Sequence, residues 1–382
     1  MRRDRIYLFF AVNYFAQGMA GVAYEPVSYY LKDALLLGPG QAASFVALMT
    51  LPLTIKPVFG LLTDCLPWAG RRRAPHLIAV SLLTSAAWLL LSGLKAPAYG
   101  AALALLALVN VGFVLSDVVC DGVMVERGKE RGETGTYQAV QVGTLYATLV
   151  VTGLGGGWLA GHASYRGAFA LAAVFPLMTA VSAAWVDEPG VGGAAETAAR
   201  AWSGLKGAAL NTRSWAVAAG IFLWSFCPFL GTAQFYYQSE ALHLSPLFIG
   251  GLATAGGLAG MAGAALFARL SGAGTPRLAR ASIWIGAPLS LLYALYVGPG
   301  SIMALTVLFS LTGVLFRLAW MDLAARLCPE GAEATTFAAY MAVFNIAASA
   351  SNAVGGALYE RLAGAHGAYA AMLAWSLVGT AG

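Results

Sequence analysis

The sequence predicts an all-α membrane protein built from two similar six-helix halves, and three observations predict it. Of 382 residues, 59% are hydrophobic and 10% charged, with a mean hydropathy of +0.72. Soluble domains carry roughly 25% charged residues, because polar surface must face water. Several apolar runs exceed the ~18 residues that mark a membrane span, which excludes one large soluble core. The third observation is a repeat. "YYLKDALLLGP" at Tyr29–Pro39 returns as "YYQSEALHLSP" at Tyr236–Pro246, with two tyrosines, an acidic fifth residue, Ala-Leu, Leu and Pro in register.

Twelve spans follow from hydropathy. The first six cover residues 6–31, 41–63, 74–94, 98–125, 135–160 and 165–186. The second six cover 214–239, 246–270, 279–297, 300–326, 335–359 and 366–382. Span 1 opens "MRRDRIYLFFAVNYFAQGMAGVA", the outline of a signal peptide. Asn13 and Gln17 interrupt its apolar run and a second hydrophobic stretch follows, so it reads as a retained span. Span 2 holds Lys56 between Pro52 and Pro57, span 4 holds Asp117 and Asp121, and span 10 holds Arg317 and Asp322. Span 5 carries Gly153, Gly157 and Gly161, and span 8 carries Gly256 and Gly260. Small residues at this spacing let helices approach closely. The last span is short and ends "SLVGTAG", so a longer native C-terminus is expected.

Each copy of the repeat closes the first span of a half. A weaker echo pairs "ETGTYQA" at Glu133, opening span 5, with "EATTFAA" at Glu333, opening span 11. The Gly- and Ala-rich stretch 187–213 reads as a linker with a short surface helix around Ala194–Gly207. The expected organisation is a six-helix bundle over 1–186, a cytoplasmic linker over 187–213 and a second bundle over 214–382, its last helix truncated. A 6+6 parallel repeat is the architecture of the major facilitator superfamily, in which two bundles rock around a midplane site.

Lys and Arg fix the orientation. Arg2, Arg3, Arg5, Arg71–Arg73, Arg127, Lys129, Arg131, Arg200, Lys206, Arg213, Arg269, Arg277, Arg280 and Arg326 fall on one side, against Lys32, Lys95, Arg166 and Arg361 on the other. The asymmetry places both termini and the linker in the cytoplasm. The net charge of +5 and pI near 9.0 then follow from topology, with no nucleic-acid partner.

Cys65, Cys120, Cys227 and Cys328 are scattered, as are the four histidines, and no spacing suggests a disulfide framework or metal site. HExxH, GxSxG and P-loop patterns are absent from the sequence, so an enzyme and a resident cofactor are not expected. The chemistry lies in charges inside spans, each costing at least ~2.5 kcal/mol unless paired or wetted. These are Glu25, Lys56, Asp117, Asp121, Arg317 and Asp322. Asp117 and Asp121 share a helix face at i,i+4, and two close carboxylates raise at least one pKa, which suits proton carriage. The plainer reading is charge pairing that only holds helices together, for example Asp117 with Lys56 or Arg317. Tyr14, Tyr24 and Phe229 lie deep enough to offer a flat-ring binding surface, whereas Tyr29, Tyr30, Tyr236 and Tyr237 suit an interfacial belt. At the end of span 2, "GLLTDCLPWAGRRR" resembles the superfamily's loop between helices 2 and 3, with three extra residues. Asp64 and Arg71, Arg72 and Arg73 would then form a cytoplasmic latch with Glu126; the plain alternative is a basic anchor.

The stretches "YFAQGMAG", "VSYYLKDALLLGP", "LPLTIKPVFGLLTDCLPWAGRRR", "SDVVCDGVMVERGKERGETG" and "AARLCPEGAEATTFAAYMAVFN" resemble the folate–biopterin transporter family of the major facilitator superfamily. Cys120 and Gly122 depart from the pattern around Asp121. The resemblance implies a monomeric, multi-pass protein of a bacterial inner membrane that carries a pterin or folate together with protons. Asp117 would accept the N–H and amino group of a pterin edge, and Lys56 or Arg317 would meet a glutamate tail. Two other readings stay open: a transporter of another planar or anionic metabolite, and a non-transporting assembly factor of the same fold.

Overall fold

The computed structural model describes residues 3–361 apart from positions 38, 163, 187, 189, 229, 231–233, 235 and 236. The expected twelfth span, 366–382, and Phe229 lie outside the described residues, as do the side chain of Glu25 and the surroundings of Gly153, Gly157 and Gly161.

The first half begins with α1 (Arg3–Met19), which passes through one 3₁₀ turn (Ala20–Ala23) into α2 (Tyr24–Tyr29). Span 2 is broken into α3 (Pro39–Met49), α4 (Leu51–Thr54) and α5 (Lys56–Cys65). The breaks are set by Pro52 and Pro57, which each remove a helical N–H and crowd the preceding turn. Helices α6 (Ala74–Ser92), α7 (Tyr99–Arg131) and α8 (Thr134–His162) follow. Gly132, at φ 67°, ends α7 in the left-handed conformation, and Glu133 N–H returns 2.8 Å to Gly128 O, so α8 can start at once. Span 6 is α9 (Tyr165–Ala172) and α10 (Val174–Ala183), split where Pro176 crowds the turn before it. Ser85 Oγ donates 2.7 Å to Ala173 O at that split, which ties α6 to the junction of α9 and α10.

The linker carries α11 (Ala194–Leu210), and α12 (Thr212–Ser225) opens the second half. Pro228 stops α12, and Ser351 Oγ takes up the Cys227 N–H at 2.8 Å. Helix α13 (Pro246–Leu270) and the short α14 (Thr275–Ala281) precede a stretch of π and 3₁₀ turns to Leu295 around Pro288. Then come α15 (Pro299–Leu327) and α16 (Glu333–Arg361). Among the described residues there is no β-strand, only an isolated bridge between Trp68 and Arg71. Seven helices among them are long and apolar enough to cross a membrane. Of the other expected spans in the described range, 135–160 is a helix, 41–63 and 279–297 are interrupted at proline, and 214–239 is helical as far as Ser225.

Large apolar side chains such as Leu82, Leu89, Leu90, Leu223 and Trp284 are exposed, the inverse of a soluble surface. The buried core is asymmetric. One cluster, including Phe9, Phe10, Tyr137, Phe267, Phe316 and Phe337, runs through both halves at the end that bears the basic loops. Towards the other end the core divides: Tyr30, Trp88 and Phe169 pack within the first half, and Tyr293, Tyr296 and Ile302 within the second. The two bundles are therefore joined at the basic end and have separate cores at the opposite end. Helix α13 lies between α8 and α15. A Cβ at Gly260 would stand 2.6 Å from the Tyr146 ring of α8, and one at Gly263 would stand 2.4 Å from Leu311 O of α15. Gly256 and Gly260 thus serve two partners: Gly256 approaches Ser310 on α15 and Gly260 faces α8.

Candidate functional site

Four of the sequence-selected residues meet inside the first half. Pro57 restarts the broken second span, so Lys56 is the first residue of α5 and its side chain reaches α7. Lys56 Nζ pairs with Asp117 Oδ2 and lies 3.4 Å from Asp121 Oδ2. From α1, the Tyr14 hydroxyl is 2.8 Å from Asp121 Oδ1 and 3.0 Å from Asp117 Oδ1. It has one hydrogen, so it donates to one carboxylate at a time. The i,i+4 spacing on α7 brings both carboxylates to one ammonium and one phenol. Side-chain exposure is 5% for Asp121, 8% for Lys56 and 19% for Asp117, which makes Asp117 the accessible member. Two carboxylates face a single cation, so with both ionised the cluster carries one uncompensated negative charge; one bound proton neutralises it.

Arg317 comes from the other half. Its Cζ sits 4.1 Å from the centroid of the Phe344 ring on α16, a cation–π contact. It makes no ion pair among the described residues, its buried Nε has no hydrogen-bond partner, and Asp117 and Tyr146 are close enough to act on it electrostatically. Asp117 thus has Lys56 as its fixed partner, while Arg317 has no carboxylate in contact. Tyr24 is exposed at the far end of the first span and is not part of the cluster.

The basic end is held by a second polar network. Arg73 is wholly buried, and its Nη2 lies 2.7 Å from both Asp64 Oδ1 and Glu126 Oε1. Burial works against its charge, but Glu126 and Asp64 outweigh that and hold the guanidinium above the usual arginine range. Arg72 lies 2.7 Å from Glu126 and 3.5 Å from Glu333. Asp64 Oδ2 accepts from Thr335 N (2.8 Å) and Thr335 Oγ1 (2.7 Å), which ties α5 to α16 across the halves. Arg71 is exposed and contributes backbone bonds to Trp68. Close by, Asp322 at the end of α15 accepts from Thr275 Oγ1 (2.6 Å), Arg326 Nη2 (2.7 Å) and Thr134 Oγ1 at the start of α8.

Glu333, Thr335, Thr134, Thr275 and Glu188 are participants that the sequence reading did not single out. Glu188 accepts from the Arg73 and Ala74 backbone N–H groups (3.0 and 2.9 Å), at the positive end of α6. The available signal was the echo at Glu133 and Glu333, which opens the two helices whose first turns are gripped.

A family model described as the BT1 family matches residues 17–379. The chain belongs to the BT1 family. A relative from Synechocystis sp. named "Folate-biopterin transporter" is 30% identical over 90% of this BT1 chain and 73% of its own length. "Probable folate-biopterin transporter 4" of Arabidopsis thaliana is 26% identical over 93% and 88%. "Folate transporter 2" of Plasmodium falciparum is 25% identical over 45% and 38%. The crystal structure of the human organic anion transporter MFSD10 (TETRAN) superposes with a TM-score of 0.74 over 100% of this BT1 chain and 99% of that one, at 14% identity. The BT1 chain therefore has the major facilitator fold. It is a multi-pass membrane transporter and not an enzyme.

Proposed function

We propose that the protein carries a folate- or pterin-type metabolite across a bacterial inner membrane by alternating access, in symport with a proton and as a monomer, with termini and linker cytoplasmic. The names of the relatives support the substrate class. The observation that carries the mechanism is an over-acidic cluster in one half facing an arginine in the other that makes no ion pair among the described residues. A proton on one carboxylate neutralises the cluster, and the other carboxylate, its charge balanced by Lys56, is left to accept the N–H and amino edge of a pterin. A substrate carboxylate meets Arg317, whose planar fork suits bidentate pairing. Bringing both ends of one molecule into contact draws the halves together, and the network around Arg73, Asp64 and Thr335 holds them shut at the basic end until that happens. With that end cytoplasmic, the structure is closed inward. An assembly factor would need its intramembrane charges fixed; Arg317, with no ion pair among the described residues, favours transport.

The test is uptake of radiolabelled folate and of a bare pterin into proteoliposomes, with and without an inward proton gradient. Gradient-stimulated, saturable uptake of either is expected. Uptake of neither, under conditions where the protein stays folded, would sink the substrate assignment. Uptake indifferent to the gradient would remove the proton.

A further inference from the structure

Arg317 rests on a ring and touches no acid among the described residues. The Phe344 ring on α16 covers one face of its guanidinium, with Cζ 4.1 Å from the ring centroid. Arg317 is half-buried, and its Nε is shut in without a partner. Nη1 and Nη2 make no hydrogen bond among the described residues and are not shut in, so they end in open space. Two groups of the first half act on this charge, Asp117 of α7 and Tyr146 of α8. Asp117 and Arg317 stand as far apart in sequence as Glu133 and Glu333, so they hold corresponding places on α7 and α15 with opposite charge.

A guanidinium and a carboxylate that feel each other in a poorly hydrated interior attract strongly and pair well when they meet. Their separation here needs a cause, and the ring supplies one. The face of an aromatic ring draws a cation to itself, the more so where water is scarce. We propose that Phe344 is a positioning residue whose ring holds Arg317 out of the ion cluster, so that both the proton site and the anion site stay open. The inference deepens the transport reading above and rests on its proton-carrying cluster. With Arg317 on Phe344, the cluster has one cation, Lys56, for two carboxylates, and a proton completes the balance. With Arg317 on Asp117 it would have two cations for two carboxylates. No proton would then be called for, and the fork would be spent on a residue of the protein itself. The other titratable groups that face the cluster are Tyr14 from α1, Cys120 on α7 and Cys328 after α15. A phenol and two thiols are uncharged at neutral pH and leave this count unchanged.

The test uses no substrate. Infrared spectra of the purified full-length chain, titrated from about pH 9 to about pH 4, follow carboxyl protonation. The step that Asp117→Asn abolishes belongs to the cluster. Phe344→Leu stays apolar and removes the ring face. It should weaken proton binding at that step by about 2- to 30-fold, the range set by the hold of a ring on a cation. Phe344→Tyr keeps the face and should behave as the wild type. In an Arg317→Gln background, Phe344→Leu should shift nothing further, because no guanidinium is left to join the cluster. Melting temperatures confirm that each variant is folded, and Phe344→Met takes the place of an unfolded Leu variant. An unmoved step in Phe344→Leu overturns the proposal. So does a shift that Phe344→Tyr shares or that persists with Arg317→Gln, since either would be a packing effect. Absence of any Asp117-dependent step in the wild type also overturns it. Failed uptake with the ring-dependent step intact would defeat the transport reading and leave the placing of Arg317 by Phe344 standing.

Discussion

Replacing Thr335 with Val should open the basic end of the protein. The change is nearly isosteric and removes one donor, Oγ1, which lies 2.7 Å from Asp64 Oδ2 across the boundary between the halves. The backbone N–H of Thr335 stays, at 2.8 Å from the same oxygen. Asp64 is fully buried, so no water replaces the lost donor while the halves remain together. Once they part, Asp64 is hydrated in either protein. A hydrogen bond to a charged group contributes about 1.5–3 kcal/mol, which corresponds to a shift of roughly 10- to 150-fold towards the state open at that end. Spin labels at Glu130 and Glu330, both exposed and on opposite halves, report this as a distance distribution in a background freed of the four native cysteines. The wild type should show mainly short separations and Thr335→Val a gained long component. An unchanged distribution, or one shifted towards shorter distances, would refute the assignment of this bond as a latch.

Three further outcomes are expected. Asp117→Asn should leave the melting temperature near that of the wild type, because Lys56 keeps Asp121 at 3.4 Å, and should abolish either transport or its pH dependence. Unchanged uptake across pH 5 to 8 would leave Asp117 a structural residue. Arg317→Lys loses the bidentate fork, so affinity for a folate should fall while affinity for a bare pterin holds; equal losses would mean that Arg317 does not read the tail. A cysteine at Ser203, on the exposed face of α11, should resist impermeant thiol reagents in intact cells and react after lysis; labelling in intact cells would reverse the proposed topology.

Much of the fold was legible because membrane burial leaves a coarse signal. Runs of apolar residues mark spans, and Pro52, Pro57 and Pro176 mark where those spans break. The ion cluster was legible for a related reason: Lys56, Asp117 and Asp121 stand out where charge is costly. Their grouping around Tyr14 was not, since it depends on how α1 and α5 turn against α7. Thr335 and Thr134 gave no signal of their own. Threonine is common in helices, and its role here depends on which helix of the other half it meets. The glycines of span 8 show the same limit. Spacing announced a close approach at Gly256 and Gly260, but the division of the contacts between α15 and α8 is a property of the assembled bundle.

The networks at the basic end have a shared plan. In the first half, the end of α7 and the start of α6 contribute Glu126 and Arg73, and with Asp64 they grip the first turn of α16. In the second half, the end of α15 and the start of α14 contribute Asp322 and Thr275, and they grip the first turn of α8. Each half holds the other at corresponding places, as the subunits of a two-fold dimer do across an isologous interface. A contact of that kind parts at both grips together or at neither, because releasing one leaves the rigid bundles pinned by the other. A gate built on this plan would be all-or-none, and a transporter with such a gate would spend little time half open, when ions would leak past its cargo.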